Sequence, residues 1–149
     1  MKLTLPLTAA FVALLGLSAC GGGSSGSTSG NTAGSTVSNP QTLTKIDTMF
    51  GSGASAAVGK RITVNYTGWL YNSAASEFKG TKFDSGNGVS FTLASGSLIE
   101  GWVQGIPGMQ VGGKRTLLIP SNLGYGASGY GTIPPNSGLV FDIELTAVN

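Results

Sequence analysis

Seven short segments hold most of the side chains that could do chemistry in this chain of 149 residues. They are Val64-Asn65-Tyr66-Thr67-Gly68, Lys82-Phe83-Asp84-Ser85, Leu98-Ile99-Glu100-Gly101-Trp102, Val111-Gly112-Gly113-Lys114, Tyr125-Gly126-Ala127, Ile133-Pro134-Pro135 and Leu139-Val140-Phe141-Asp142. Aromatic residues make up only 8% of the chain, yet many fall in or beside these segments. Polar machinery is scarcer still. There is no His, and the one Cys, Cys20, lies far outside them. General acid–base catalysis most often uses His; thiol and metal chemistry need thiolates or clustered imidazole and thiolate ligands. The inventory argues against those classes, and implies neither a metal nor a cofactor. It favours a reaction that an apolar slot promotes by excluding water.

The elements that must position these residues are mostly strands. Arg61 to Leu70 alternates, with Ile62, Val64 and Tyr66 on one face and Thr63, Asn65 and Thr67 on the other, which predicts a half-buried strand. Leu139 to Val148 repeats the pattern, with Leu139, Phe141, Ile143 and Leu145 inward. Val89 to Leu93 and Arg115 to Ile119 read as shorter strands, and Thr42 to Met49 as an edge strand. Leu98 to Ile106 is the one helical candidate, ended by Pro107-Gly108. Several hairpin-like strands with one short helix predict an α+β fold, an antiparallel sheet wrapped over the helix. Two loops stand out: Tyr71 to Thr81, which separates the first strand from Lys82-Phe83-Asp84, and the Gly-rich stretch Leu123 to Ser137. Loops of this length on a compact domain usually border binding sites.

Taken together, in this order and spacing, the seven segments resemble the FKBP-type peptidyl-prolyl cis–trans isomerases, the family inhibited by macrolides such as tacrolimus and rapamycin. The resemblance covers Leu43 to Asn149. It implies a bent antiparallel half-barrel around one short α-helix, and an enzyme that accelerates rotation about X–Pro bonds. It also implies roles for individual residues. Trp102 resembles the pocket floor, and Tyr66, Phe83 and Phe141 the aromatic walls. Leu98 and Ile99 would form a rim, with the Ile99 N–H donating to a substrate carbonyl. Tyr125 would donate its hydroxyl to the carbonyl preceding proline. Asp84 would be the one carboxylate in the slot, and Ile133 would close it from above. Asp84 and Tyr125 are the residues that match the family's catalytic positions. Val89 stands where many members carry an aromatic, so that wall is expected to be thinner. Tyr130 occupies a loop position where some relatives have His. The stretch Ser85 to Gly88 reads as a short loop without the basic residue that pairs with the Asp in some members. The implied ligands are Pro-containing segments of unfolded or exported proteins, and macrolides.

The first nineteen residues have a different purpose. Lys2, an apolar run from Leu3 through Leu17, and Ser18-Ala19 give the three-part form of a secretory signal. Leu17-Ser18-Ala19-Cys20 resembles a bacterial lipoprotein processing site, at which Cys20 becomes the lipidated first residue of the mature protein. Gly21 in place of Asp leans toward the outer membrane, facing the periplasm or the cell surface. Gly21 to Asn39 is Gly, Ser, Thr and Asn with almost no apolar content, so it cannot pay for its own ordering by burial. As a flexible coil it would span roughly 24 Å. The chain thus divides into residues 1–19 (signal), 20–41 (lipidated Cys and linker) and 42–149 (isomerase domain).

Charge excludes one further class. Without Lys2 the chain carries seven basic and six acidic side chains, which offers no field for nucleic acid. The pairs Lys60-Arg61 and Lys114-Arg115 read as solvated strand ends. Two non-enzymatic readings remain beside the isomerase. One is a binding module or holdase chaperone that grips Pro-containing segments in the same slot without turnover. The other is a surface lipoprotein that engages partners through the Tyr71–Thr81 loop.

Overall fold

The computed structural model describes residues 39–149; the signal segment, Cys20 and the linker up to residue 38 lie outside the described residues. Strands β1 (Thr44–Met49), β2 (Arg61–Tyr71), β3 (Lys79–Thr92), β4 (Lys114–Ile119) and β5 (Leu139–Val148) form one sheet in the order β1-β4-β5-β2-β3. Every pairing is antiparallel. The only α-helix among the described residues, α1 (Glu100–Gly105), lies between β3 and β4 in sequence and packs on the sheet's concave face. This is the α+β arrangement that the alternating pattern predicts.

The central strands follow from their sequence. In β5 the side chains of Leu139, Phe141, Ile143 and Leu145 are buried, and in β2 those of Ile62 and Val64 are fully enclosed. Together with Leu93, Ile106, Leu117 and Ile119 they build one core between sheet and helix. The helix is only six residues long, too short to persist without tertiary packing. Two glycines let it pack closely. A Cβ at Gly101 would collide with the side chain of Ile119, and one at Gly105 with Leu117. Their absence lets the backbone of α1 rest directly on β4, which drops Trp102 into the concave face.

Strand β3 departs from the expectation. It is one strand of fourteen residues, not a loop followed by the short strand Val89 to Leu93. Its pairing with β2 shifts register at three places, between Val64 and Tyr66, Gly68 and Trp69, and Trp69 and Tyr71. At each, β3 carries one residue more than β2, so each is a bulge that bends the strand. Ser85 to Gly88 is therefore bulged strand, with Ser85 paired to Thr67 and Gly86 to Tyr66. The loop expected over Tyr71 to Thr81 contracts for the same reason: Tyr71 closes β2 and Lys79 opens β3. In the turn between them Phe78 stacks on Tyr71, rings 5.3 Å apart.

Arg115 is not a solvated strand end. It is 9% exposed, and its guanidinium clasps Asp47 of β1 through Nε (2.6 Å) and Nη2 (3.1 Å). Nη1 donates to the Gly105 carbonyl at 2.7 Å, satisfying a buried acceptor at the C-terminal end of α1. Lys60 and Arg61 are exposed, as expected. Asn39 and Pro40, counted with the linker in the sequence, dock on the domain. The Asn39 side chain donates to Ser121 Oγ and accepts from the Ser121 N–H, and Pro40 packs against Gly138.

Candidate active site

The bend of the sheet leaves a cavity of about 530 Å³ between its concave face, the start of α1 and the loop after β4. Its floor is Trp102, 4% exposed. Three rings meet the indole nearly edge to face: Tyr66 at 5.3 Å and 79°, Phe91 at 5.4 Å and 85°, Phe141 at 5.3 Å and 87°. Phe83 meets Phe141 at 5.5 Å and 89°. Edge-to-face pairs match the positive rim of one ring to the negative face of another, and each contributes about 0.5–1.5 kcal/mol beyond burial. The Trp102 Nε1–H is buried with no oxygen or nitrogen acceptor among the described residues. Around it stand aromatic rings, whose faces accept hydrogen bonds weakly.

Local backbone explains how Phe83 and Asp84, adjacent in sequence, both face the cavity. Successive strand residues point to opposite faces. Here Gly68 pairs with Asp84 and Trp69 with Lys82, so Phe83 is the extra residue of a bulge and is re-aimed. Gly68 completes the arrangement: a Cβ there would stand 2.7 Å from Phe141 and 2.8 Å from Phe83. The carboxylate of Asp84 is held on both oxygens. Oδ2 accepts from the Tyr66 hydroxyl at 2.9 Å, and Oδ1 from the Ser85 N–H at 2.8 Å.

The sequence places a match to the family model for FKBP-type peptidyl-prolyl cis–trans isomerases over residues 53–146. The chain belongs to that family. An FK506-binding protein of Neisseria meningitidis serogroup B is 49% identical over 107 residues, which cover 68% of this chain and 92% of that protein. A peptidyl-prolyl cis–trans isomerase from Pseudomonas syringae pv. tomato superposes with a TM-score of 0.62 at 35% identity, covering 72% of this chain and 75% of its own. AtFKBP13 superposes at 0.61 and 37%, covering 76% and 98%. This FKBP-type chain is thus a peptidyl-prolyl isomerase with the family's sheet, helix and aromatic cavity.

Eight residues singled out in the sequence line the cavity of this FKBP-type domain: Tyr66, Phe83, Asp84, Leu98, Ile99, Trp102, Tyr125 and Phe141. Three others do not. Val89 is half-buried and pairs with Val64 across the sheet, beside the ring edge of Tyr66. The wall expected to be thin is instead supplied by Phe91, two residues on and hence on the same face. That alternation was the available signal for Phe91. Ile133 is 5% exposed, joins the core and is not among the cavity-lining residues. Tyr130 is 69% exposed and opens a turn closed by reciprocal backbone hydrogen bonds with Ile133, and its ring stacks on Tyr125 at 5.2 Å. Glu100 also lines the cavity, and nothing in its spacing marked it out.

The electrostatics keep the phenols protonated. Burial, the hydrogen bond to Asp84 and that carboxylate's charge push the Tyr66 hydroxyl up to about 12. Burial, then the charge of Asp84, raises Tyr125. Both therefore remain O–H donors throughout the neutral range.

Proposed function

We propose that this cavity isomerises X–Pro bonds by desolvation, with no proton transfer. Planar amide resonance sets a barrier of about 18–20 kcal/mol, and uncatalysed exchange takes tens to hundreds of seconds. In the twisted transition state the nitrogen lone pair no longer delocalises, so the group is less polar than the planar amide. Water stabilises the planar form more. A dry aromatic cavity favours the twisted form by comparison, which is differential binding of the transition state. The observation that carries this reading is the convergence of Trp102, Tyr66, Phe91 and Phe141 on one cavity whose phenols stay protonated.

In this reading the proline ring lies on Trp102 between Tyr66, Phe91 and Phe141. The Tyr125 hydroxyl donates to the carbonyl before proline, and the Ile99 N–H to a carbonyl at the rim. Asp84 places a fixed negative charge beside the rotating carbonyl. A macrolide of the FK506 type, after which the Neisseria relative is named, would occupy the same cavity. The soluble fragment starting near Gln41 is expected to accelerate isomerisation of a short X–Pro peptide, and rapamycin to block it. Asp84→Ala and Tyr125→Phe are each expected to lower kcat/KM about tenfold or more with an unchanged circular dichroism spectrum. Equal rates in both variants would remove these two roles. Binding of unfolded protein with no rate above buffer would establish the holdase reading.

The same proposal places the domain on a membrane. The signal-like residues 1–19, Cys20 and the Gly/Ser/Thr linker support export and lipid anchoring, with exported proteins as clients. Two or more acyl chains anchor stably, at about 0.8 kcal/mol per buried CH₂. Cys20→Ser is expected to shift the protein from the membrane fraction to the soluble one. Retention in the membrane fraction would exclude lipidation at Cys20.

A further inference from the structure

Among the described residues the Tyr125 hydroxyl makes no hydrogen bond, whereas that of Tyr66 donates to Asp84. The Tyr125 ring stacks on Tyr130, which is itself largely exposed. The place of Tyr125 is therefore set by the backbone that carries it, which lies between two 3₁₀ turns, Ser121–Leu123 and Gly126–Ser128. The second turn is tied down by the Asn136 N–H, which donates to the Gly126 carbonyl at 2.8 Å. The first has no local cap, because the residue before it is Pro120, whose side chain makes no capping bond. Helical turns leave their first N–H groups without partners inside the turn. Ser121 is 8% exposed, so water is a poor substitute there. The partner arrives from the other end of the domain. Asn39, 82 residues earlier, accepts from the Ser121 N–H through Oδ1 at 2.9 Å and donates through Nδ2 to Ser121 Oγ at 3.0 Å. A side-chain oxygen on an early N–H is what a cap residue supplies. Pro40 holds Asn39 in place: it is buried against Gly138, where a Cβ would collide with it, and its ring biases Asn39 toward extended backbone. From Ser121 the path to the cavity is short. Its carbonyl accepts from the Gly124 N–H at 3.0 Å, and Gly124 and Tyr125 both line the cavity.

We infer that Asn39 is a positioning residue for the isomerase: by capping the turn Ser121–Leu123 it fixes Tyr125 at the cavity wall, so that a residue of the apparent linker belongs to the catalytic domain. This inference rests on the reading of Tyr125 as the donor to the carbonyl before proline. Asn39 does not line the cavity and acts only through the turn. Without its side chain the buried Ser121 N–H loses its acceptor, the turn tips toward water, and Gly124 and Tyr125 move with it. A misplacement of about 1 Å costs up to about a hundredfold in rate. Here the ceiling is the loss of about tenfold expected when the hydroxyl itself is removed, so a smaller loss of about three- to fivefold is expected.

The test measures kcat/KM on one short X–Pro peptide for the full chain and for Asn39→Ala, Asn39→Asp, Tyr125→Phe and the Asn39→Ala/Tyr125→Phe pair. Asn39→Ala should lose about three- to fivefold with an unchanged circular dichroism spectrum. Asn39→Asp keeps an oxygen for the Ser121 N–H and an acceptor for the Ser121 hydroxyl, and should stay within about twofold of wild type. In the Tyr125→Phe background Asn39→Ala should cost less than about twofold, because the group it positions is gone. A general loosening of the fold would instead multiply the two losses. The inference is overturned by wild-type turnover in Asn39→Ala, by an equal loss in Asn39→Asp, or by losses that multiply in the pair. Should Asn39→Ala not fold, Asn39→Ser, whose hydroxyl is too short to reach both Ser121 groups, replaces it in the same comparison. The outcomes separate the claims. Slow Tyr125→Phe beside an unchanged Asn39→Ala removes only the positioning role. Tyr125→Phe at the wild-type rate removes the role of the hydroxyl and the positioning with it. No turnover by the wild-type chain removes the reading of the cavity and all that rests on it.

Discussion

Phe141→Ala is expected to lose about 3–5 kcal/mol of stability and, in the protein that remains folded, at least tenfold in kcat/KM. Phe141 is 3% exposed, and its ring touches Trp102, Phe83 and Tyr66, so three wall contacts go at once. The stability loss comes from the apolar surface and the void left behind. The rate loss has a second origin, because the void sits beside the proline site and admits water where the twisted imide needs a dry contact. Urea unfolding gives the first quantity and peptide isomerisation at low temperature the second. Phe141→Leu keeps most of the volume and should lose less of both. An unchanged kcat/KM in folded Phe141→Ala would mean that this wall does not enclose the reacting bond.

Arg115→Ala should separate stability from catalysis in the opposite way. The guanidinium satisfies the Asp47 carboxylate and the Gly105 carbonyl, and it joins β1, β4 and the end of α1. Its removal leaves those acceptors without a donor. Breaking such a pair from one side costs about 3–5 kcal/mol. The Asp47 side chain is 30% exposed and can recover some hydration, which puts the expected loss at or below the lower figure. Because Arg115 lies away from the cavity lining, kcat/KM of the folded variant should stay within about twofold of wild type. Asp47→Leu combined with Arg115→Met should regain much of the stability, since two apolar groups leave no carboxylate behind. A double variant as unstable as Arg115→Ala would show that the Gly105 cap, not the pair, carries the energy.

What the sequence made legible follows from where one physical cause acts alone. In β2, and in β5 beyond the fully buried Val140, one face is dry and the other at least partly wetted, so alternation names Ile62, Val64, Phe141 and Ile143 directly. Pro107-Gly108 likewise marks the end of α1. In β3 three bulges break the alternation, so Phe83 and Asp84 share a face and Ser85 to Gly88 imitates a loop. Local patterning carries no trace of that, because the bulges arise from pairing with β2. Arg115 was opaque for a similar reason. Its partner Asp47 lies 68 residues away, and a Lys-Arg pair at a strand start reads as solvated until the strand order sets β1 beside it. Most of the cavity was legible through its segments: eight of the residues singled out line it. Ile133 lies among the core residues and outside the cavity lining, because a short loop can aim an apolar side chain at the core as readily as at a ligand, and spacing does not distinguish the two.

The central claim is that the imide turns in a dry aromatic cavity without proton movement. Its most direct test is kcat/KM for a neutral X–Pro peptide measured from pH 6 to 9 in H₂O and in D₂O. With no His, and with Tyr66 and Tyr125 both raised above their ordinary range, the profile should be flat and the solvent isotope ratio close to one. A bell-shaped profile, or a rate in D₂O lower by about twofold or more, would place a proton in flight and contradict the account.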